Sequence, residues 1–173
     1  MKLLVQYSIS YLTTGLVLLV LASFVLYANP RGRLNKVFSL YSFSIAWWSF
    51  WSLVVILTSN HDVAILWCRL WLVGPIFIPS LYLHFVLIFL GQNERYRRLI
   101  KLSYIFSFLF LISDVTPLFI AGVSPRFSLR NYTIPGPIFH LHVIHFIVAT
   151  GFATLALLRG WFYGYSQLAG IRR

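Results

Sequence analysis

Five stretches of this chain are long and apolar enough to cross a lipid bilayer, and nothing else in the sequence constrains its fold as strongly. A transmembrane helix needs about 20 mostly apolar residues to span a hydrocarbon core about 30 Å thick. Residues 9–27, 37–57, 66–90, 96–115 and 138–158 meet that requirement. Composition supports the same reading: of 173 residues, 60% are hydrophobic and only 10% are charged. A soluble domain carries about 25% charged residues, so this chain could not cover a water-facing surface. High hydrophobicity and the lack of a polar low-complexity tract exclude disorder. The expected fold is all-α: a polytopic membrane helical bundle of about five transmembrane helices, forming a single domain over residues 1–173. The first stretch does not read as a cleaved signal. Lys2 is its only basic flank, its apolar core is long, and no small-x-small site precedes Asn29-Pro30.

Fourteen Lys and Arg against three Asp and Glu give a formal charge of +11. In a soluble protein that balance would suggest nucleic acid, but here the bases fall in short clusters between apolar runs, with no continuous face for phosphates. Their distribution sets an orientation instead. With the N-terminus outside, the inner segments hold Arg31, Arg33, Lys36, Arg95, Arg97, Arg98, Lys101, Arg159, Arg172 and Arg173, ten in all. The outer segments hold four: Lys2, Arg69, Arg126 and Arg130. The positive-inside rule therefore predicts an outer N-terminus and a cytoplasmic C-terminus. Trp67 and Trp71 at the start of the third stretch, and Trp161, Phe162, Tyr163 and Tyr165 past the fifth, suit interfacial belts. Trp47, Trp48 and Trp51 fall mid-helix, where their indole N–H groups need partners, and read as helix-packing residues.

The third stretch carries Gly74, Pro75 and Pro79. A proline inside a helix removes a backbone N–H, so carbonyls near Trp71 and Pro75 lose partners and the segment becomes a candidate hinge. Asp114 is the single acid within or beside a span, and intramembrane ionisable groups default to function with a named partner. His142 and His145 lie about 60° apart on a helix, while His140 points away. Arg69, Asp114, His142 and His145 share a depth and form the candidate ligand pocket, open to the outside. The competing reading leaves Asp114 in water at a helix end. His61 and Asp62 read as an exposed outer turn. His84 lies about 27 Å along its helix, toward the other leaflet. Two histidines without a third ligand fall short of a closed metal site, so no metal is assigned.

Other chemistry is sparse. No nucleophile motif, glycine-rich phosphate loop or dinucleotide fingerprint is present, and no cofactor is implied. Cys68 is the one cysteine and reads as a buried thiol. Asn131-Tyr132-Thr133 is a glycosylation acceptor pattern in an outer loop. No internal repeat divides the five stretches, which weakens a transporter reading.

Asn29-Pro30-Arg31-Gly32-Arg33-Leu34-Asn35, a tryptophan-bearing second helix, Trp67-Cys68-Arg69-Leu70, and Gly74, Pro79 and Leu83-His84-Phe85 resemble the N-terminal seven-helix region of bacterial sensor histidine kinases. Pro135-Gly136-Pro137-Ile138-Phe139 also looks like that family. The resemblance implies a sensory input region in a bacterial cytoplasmic membrane, made of the first five of seven helices. It also implies a cytosolic output module, in the same parent chain or separate. No phosphoacceptor helix or ATP-binding module lies in these residues, so no enzymatic activity is expected of them. The implied partners are the bilayer, an unidentified small ligand and the output module, with a homodimer left open and no nucleic acid. The alternative functions are a transporter or channel subunit and a metal-dependent membrane enzyme.

Overall fold

A computed structural model describes the backbone of residues 2–126 and 129–170, and the side chains of 4–60, 63–126 and 130–162. The elements in chain order are α1 (Lys2–Ala28), α2 (Arg33–Leu57), α3 (His61–Phe89), α4 (Arg97–Asp114), β1 (Ile120–Arg126), β2 (Leu129–Pro135) and α5 (Pro137–Gly170). The chain is mostly helical, and each of the five expected stretches forms one helix. Four of these (α1, α2, α3 and α5) are long and apolar enough to cross a membrane. The exception is α4: its 18 residues include Arg97, Arg98, Lys101 and Asp114, which dilute its apolar run. His61 and Asp62 open α3 rather than standing in a turn; their side chains, like those of Tyr163 and Tyr165, lie outside the described residues.

The all-α expectation needs correcting. Residues 120–135 form an antiparallel hairpin, with Val123 opposite Thr133 and Ser124 opposite Tyr132. Its period-2 pattern is hidden because the register slips between Ile120 and Gly122 and again between Ser124 and Arg126. The second slip coincides with Pro125, which cannot donate to a ladder and is tolerated at such irregularities. At its base the hairpin is anchored in the helix core. Phe119 and Ile120 are fully buried, in one cluster with Val55, Cys68, Leu72, Ile76 and Phe110. Asn131 is buried as well, and its amide donates to the carbonyls of Val55 (3.3 Å) and Thr58 (2.8 Å) at the end of α2. This corrects the glycosylation reading: the nitrogen that would carry a sugar is already donating to a helix end left short of partners.

The helices pack around α3, which touches α2, α4 and α5, while α1 lies chiefly on α2. Small residues allow the close approach. The buried face of α2 is Val37, Ser39, Ser42, Ala46, Ser49, Ser52 and Val55. Between membrane helices, such residues let backbones meet and let hydroxyls hydrogen-bond across. Ser39 Oγ donates to the Ala22 carbonyl of α1 at 2.8 Å. One close approach is at Gly74 of α3, where a Cβ would strike the Ser44 carbonyl oxygen of α2. The mid-helix tryptophans serve the same contact. Trp47 Nε1 donates to the Leu70 carbonyl at 2.7 Å, Trp71 Nε1 donates to Ser52 Oγ at 2.6 Å, and Trp51 stacks on Trp67. Trp67 and Trp71 are therefore half-buried against α2, while Trp161 and Phe162 remain exposed.

Candidate functional site

The interior between α3, α4 and α5 is polar along one line. On α4 the buried positions are Ile100, Ser103, Ser107, Phe110 and Asp114, spaced at three and four residues and so on one face. Ser80 of α3, one residue past Pro79, faces that line and is fully buried. Its hydroxyl lies 2.6 Å from Ser103 Oγ and 2.8 Å from Ser107 Oγ. Ser107 Oγ also lies 2.9 Å from the Ile76 carbonyl, and Ser103 Oγ lies 2.9 Å from His145 Nε2 of α5. Three helices are thus joined by one connected network.

The direction of that network follows from counting protons, since a hydroxyl has one to give. A carbonyl only accepts, so Ser107 donates to Ile76. Ser80 must then donate to Ser107, and Ser103 to Ser80. Ser103 has no proton left for His145, so His145 donates from Nε2. The relay runs one way, from the imidazole of α5 to the backbone of α3. It places the His145 proton on Nε2 and leaves Nδ1 buried without a hydrogen-bond partner.

Pro75 and Pro79 both lie inside α3, which continues through them as one helix. Neither has an N–H, so the Trp71 and Pro75 carbonyls lack their usual helical donors. The carbonyl that Ser107 meets is Ile76, in the turn between the two prolines. Ser80, four residues on, still has its N–H for that carbonyl, so the Ser107 bond is added beside the carbonyls the prolines leave short rather than replacing one of them.

The four residues expected to form one pocket separate into two pairs. His142 and His145 share an aromatic surround. Phe110 lies 5.4 Å from the His142 ring and 5.7 Å from His145, and Phe119 lies 5.8 Å from His142. Asp114 and Arg69 form the second pair, with Arg69 the cation acting on the carboxylate. Arg69 does not clasp Asp114; its terminal nitrogen donates to the Val115 carbonyl, which caps α4. A cation there also suits the negative end of the helix dipole. No hydrogen bond or ion pair joins the two pairs. Asp114 is 3% exposed and His142 4%, so the water-facing alternative for Asp114 does not hold. Arg69 Nε, Asp114 Oδ1 and the Nδ1 atoms of both histidines are buried without hydrogen-bond partners. Buried polar atoms of this kind are rare and mark a site or a strain reservoir.

A cavity of about 240 Å³ adjoins this region, lined by Trp48, Trp71, Pro75, Phe139, His142 and Phe146 among others. It brings His142 beside the first proline. It is small against the 300–1,000 Å³ usual for drug-sized ligands. Among the described residues, no three His, Cys, Asp or Glu side chains cluster to hold a metal. His84 stands apart, with Nδ1 3.1 Å from the Tyr104 hydroxyl.

A family model, the N-terminal 7TM region of histidine kinase, matches residues 10–169. The chain belongs to this family. No curated protein and no solved structure matches it. The 7TM region of histidine kinases is a sensory region rather than a catalytic module, which agrees with the resemblance read from Asn29 through Phe139. The matched segment runs from Ser10 in α1 to Ala169 near the end of α5, including the serine–histidine relay and the hairpin. Several apolar helices together with membership of this 7TM family make the chain a multi-pass membrane protein. Sequence reasoning missed Ser80, Ser103 and Ser107. The usable signal was the spacing of Ser103, Ser107 and Asp114 on one face of an otherwise apolar helix.

Proposed function

We propose that this chain is the membrane input module of a two-component-type receptor in a bacterial cytoplasmic membrane. It passes a stimulus from outside or within the bilayer to a cytosolic output. One observation carries this reading: the one-way relay from His145 through Ser103, Ser80 and Ser107 to the backbone between Pro75 and Pro79. A stimulus shifts a receptor only if it binds one arrangement better than another. A helix with weakened backbone bonds, held by a network that can re-pair, supplies two arrangements. Gly74, Pro75 and Pro79 form the hinge, and a small ligand enters beside His142, with Arg69, Asp114 and His145 completing the sensing region. In this reading α4 also spans, giving five helices of a seven-helix region, because its charges sit at its two ends. The transporter alternative would require a continuous polar path, whereas the relay ends on a backbone carbonyl in the core.

The experiment begins with the output that the gene, or its neighbour, encodes. A kinase or cyclase activity measured in membranes should respond to stimulus with the wild-type chain and be locked at one level by Pro75→Ala with Pro79→Ala. Those substitutions restore two backbone hydrogen bonds, so thermal stability should hold or rise. An output that responds as before removes the hinge, and solute flux above empty proteoliposomes would favour a transporter.

Orientation has its own test. With Cys68 replaced by alanine, cysteines at Arg33 and Arg97 should resist an impermeant thiol reagent in intact cells, while one at Pro125 in the hairpin should label. This follows from the ten-to-four basic count. Labelling at position 97 from outside reverses the orientation.

A further inference from the structure

At the end of the bundle opposite the hairpin, α3 stops in a way that builds a second site. Gly91 takes a positive φ of 67°. Gly91 N donates to the Ile88 carbonyl (2.9 Å) and Gln92 N to the Leu87 carbonyl (2.8 Å). This is a glycine-terminated helix end, which reverses the chain sharply. The turn brings residues 92–96 against α5, where Tyr96 meets Phe152 edge-on at 5.3 Å. Between turn and helix lies a cleft of about 510 Å³ whose lining includes Gln92, Arg95, Phe152, Leu155 and Arg159.

The lining has two chemistries in order. Arg95 and Arg159 provide guanidinium groups, and Gln92 provides an amide; Arg95 lies 5.4 Å from the Tyr96 ring, which fixes its approach. No carboxylate lines the cleft, and Glu94 is instead hydrogen-bonded by Asn93 at 3.3 Å. Arg97, Arg98 and Lys101 follow on α4, outside the cleft lining. The other wall is apolar and leads away along α5, through Leu155 (58% exposed), Val148 (62%) and Ile144 (58%). These positions repeat at four and seven residues, so they form one continuous stripe facing outward from the bundle.

We propose that this cleft binds an anionic phospholipid: its phosphate sits between Arg95 and Arg159, and its acyl chain lies along the Leu155–Val148–Ile144 stripe. Guanidinium groups hold phosphate oxygens in pairs, which a point charge does not. Basic clefts between membrane helices are suited to anionic headgroups. The apolar stripe selects a lipid over a free phosphate. The site requires only that the chain spans a membrane, and stands whether or not the sensory reading does.

The test uses the whole chain purified in mild detergent, titrated with phosphatidylglycerol, phosphatidylcholine or glycerol phosphate. Bound lipid is read by native mass spectrometry and by thermal unfolding. Phosphatidylglycerol should be retained and should raise the unfolding temperature, while phosphatidylcholine and glycerol phosphate at equal concentration should not. Arg95→Gln with Arg159→Gln should weaken phosphatidylglycerol binding at least tenfold. Arg97→Gln with Arg98→Gln removes the same charge outside the cleft and should leave binding unchanged. Arg95 and Arg159 are both exposed. Should the Arg95→Gln, Arg159→Gln variant fail to fold, Arg159→Lys, which keeps the charge but loses the paired geometry, should still weaken binding several-fold. Equal loss in the two glutamine pairs would reduce the site to diffuse charge and overturn it. Retention by the Arg95, Arg159 pair at wild-type affinity, or binding of glycerol phosphate as tight as that of the lipid, would overturn it as well.

Discussion

Replacing Gly74 with alanine should destabilise the protein by about 3 kcal/mol, the upper end of what overpacking a well-fitted interface typically costs. The reason is local. A Cβ at Gly74 would meet the Ser44 carbonyl oxygen and approach both the backbone and the side chain of Trp48 at 3.2 Å. Backbone cannot swing aside as a side-chain tip can, so α2 and α3 would have to separate. That movement would loosen the Trp47–Leu70 and Trp71–Ser52 hydrogen bonds, which depend on the same approach. Valine at this position should prevent accumulation of folded protein. Gly151 of α5 is the control, since a Cβ there would meet nothing within 4 Å. Gly151→Ala should be neutral or slightly stabilising, because alanine is favoured in a helix by about 1 kcal/mol. Unfolding followed by circular dichroism in a denaturant series reads both variants. Equal stability of the two would mean that α2 and α3 do not meet at Gly74.

Ser80→Ala is the second expected loss. It removes the middle of the relay, taking both of its hydrogen bonds and leaving Ser103 with a proton and no acceptor. Interhelical hydrogen bonds in membranes contribute about 0.6 kcal/mol each, up to about 1.7. Two of them give a loss of about 1–3 kcal/mol. The distinctive expectation is coupling. Ser80 and His145 share no direct hydrogen bond, yet Ser103 links them, so Ser80→Ala and His145→Leu should combine non-additively by about 0.5 kcal/mol or more. Nitrogen NMR of labelled histidine provides a second reading: the His145 proton belongs on Nε2, and Ser103→Ala should perturb that resonance while leaving His140 unchanged. Additive losses, or a proton found on Nδ1, would dissolve the relay.

Hydropathy is a local property, so each of the five helices was legible from composition and run length alone. In α1 to α4 the apolar run ends within a residue or so of the helix, as at Leu57 and Ala28, whereas α5 continues as a helix past Leu158 to Gly170. The sensory family was legible as well, helped by two short signatures, Asn29–Asn35 and Pro135–Phe139, that lie at a turn and at a helix start. Asn29, for example, accepts from Gly32 N at 3.0 Å in the turn that joins α1 to α2. The hairpin was not legible. Two register slips break its alternation, and its anchors, Phe119 in the helix core and Asn131 on α2, exist only after docking.

The candidate site divides along the same line. The sequence by itself determined which polar and helix-weakening residues lie in or beside the apolar stretches: Asp114, His84, His142 and His145, the serines of α2 and α4, and the two prolines of α3. It could not determine which of them meet. A buried hydroxyl must find a partner, but the partner is set by the rotation and depth of another helix, and no period within one segment encodes that. Tertiary structure set Arg69 to cap α4 beside Asp114 rather than to hydrogen-bond the carboxylate, and kept that pair separate from the two histidines. It also joined Ser80 to Ser103 and Ser107, 23 and 27 positions further along the chain, and through Ser103 to His145. Apolar burial in a bilayer is non-directional and is read residue by residue; hydrogen bonds are directional and scarce in lipid, and only the assembled bundle decides where they fall.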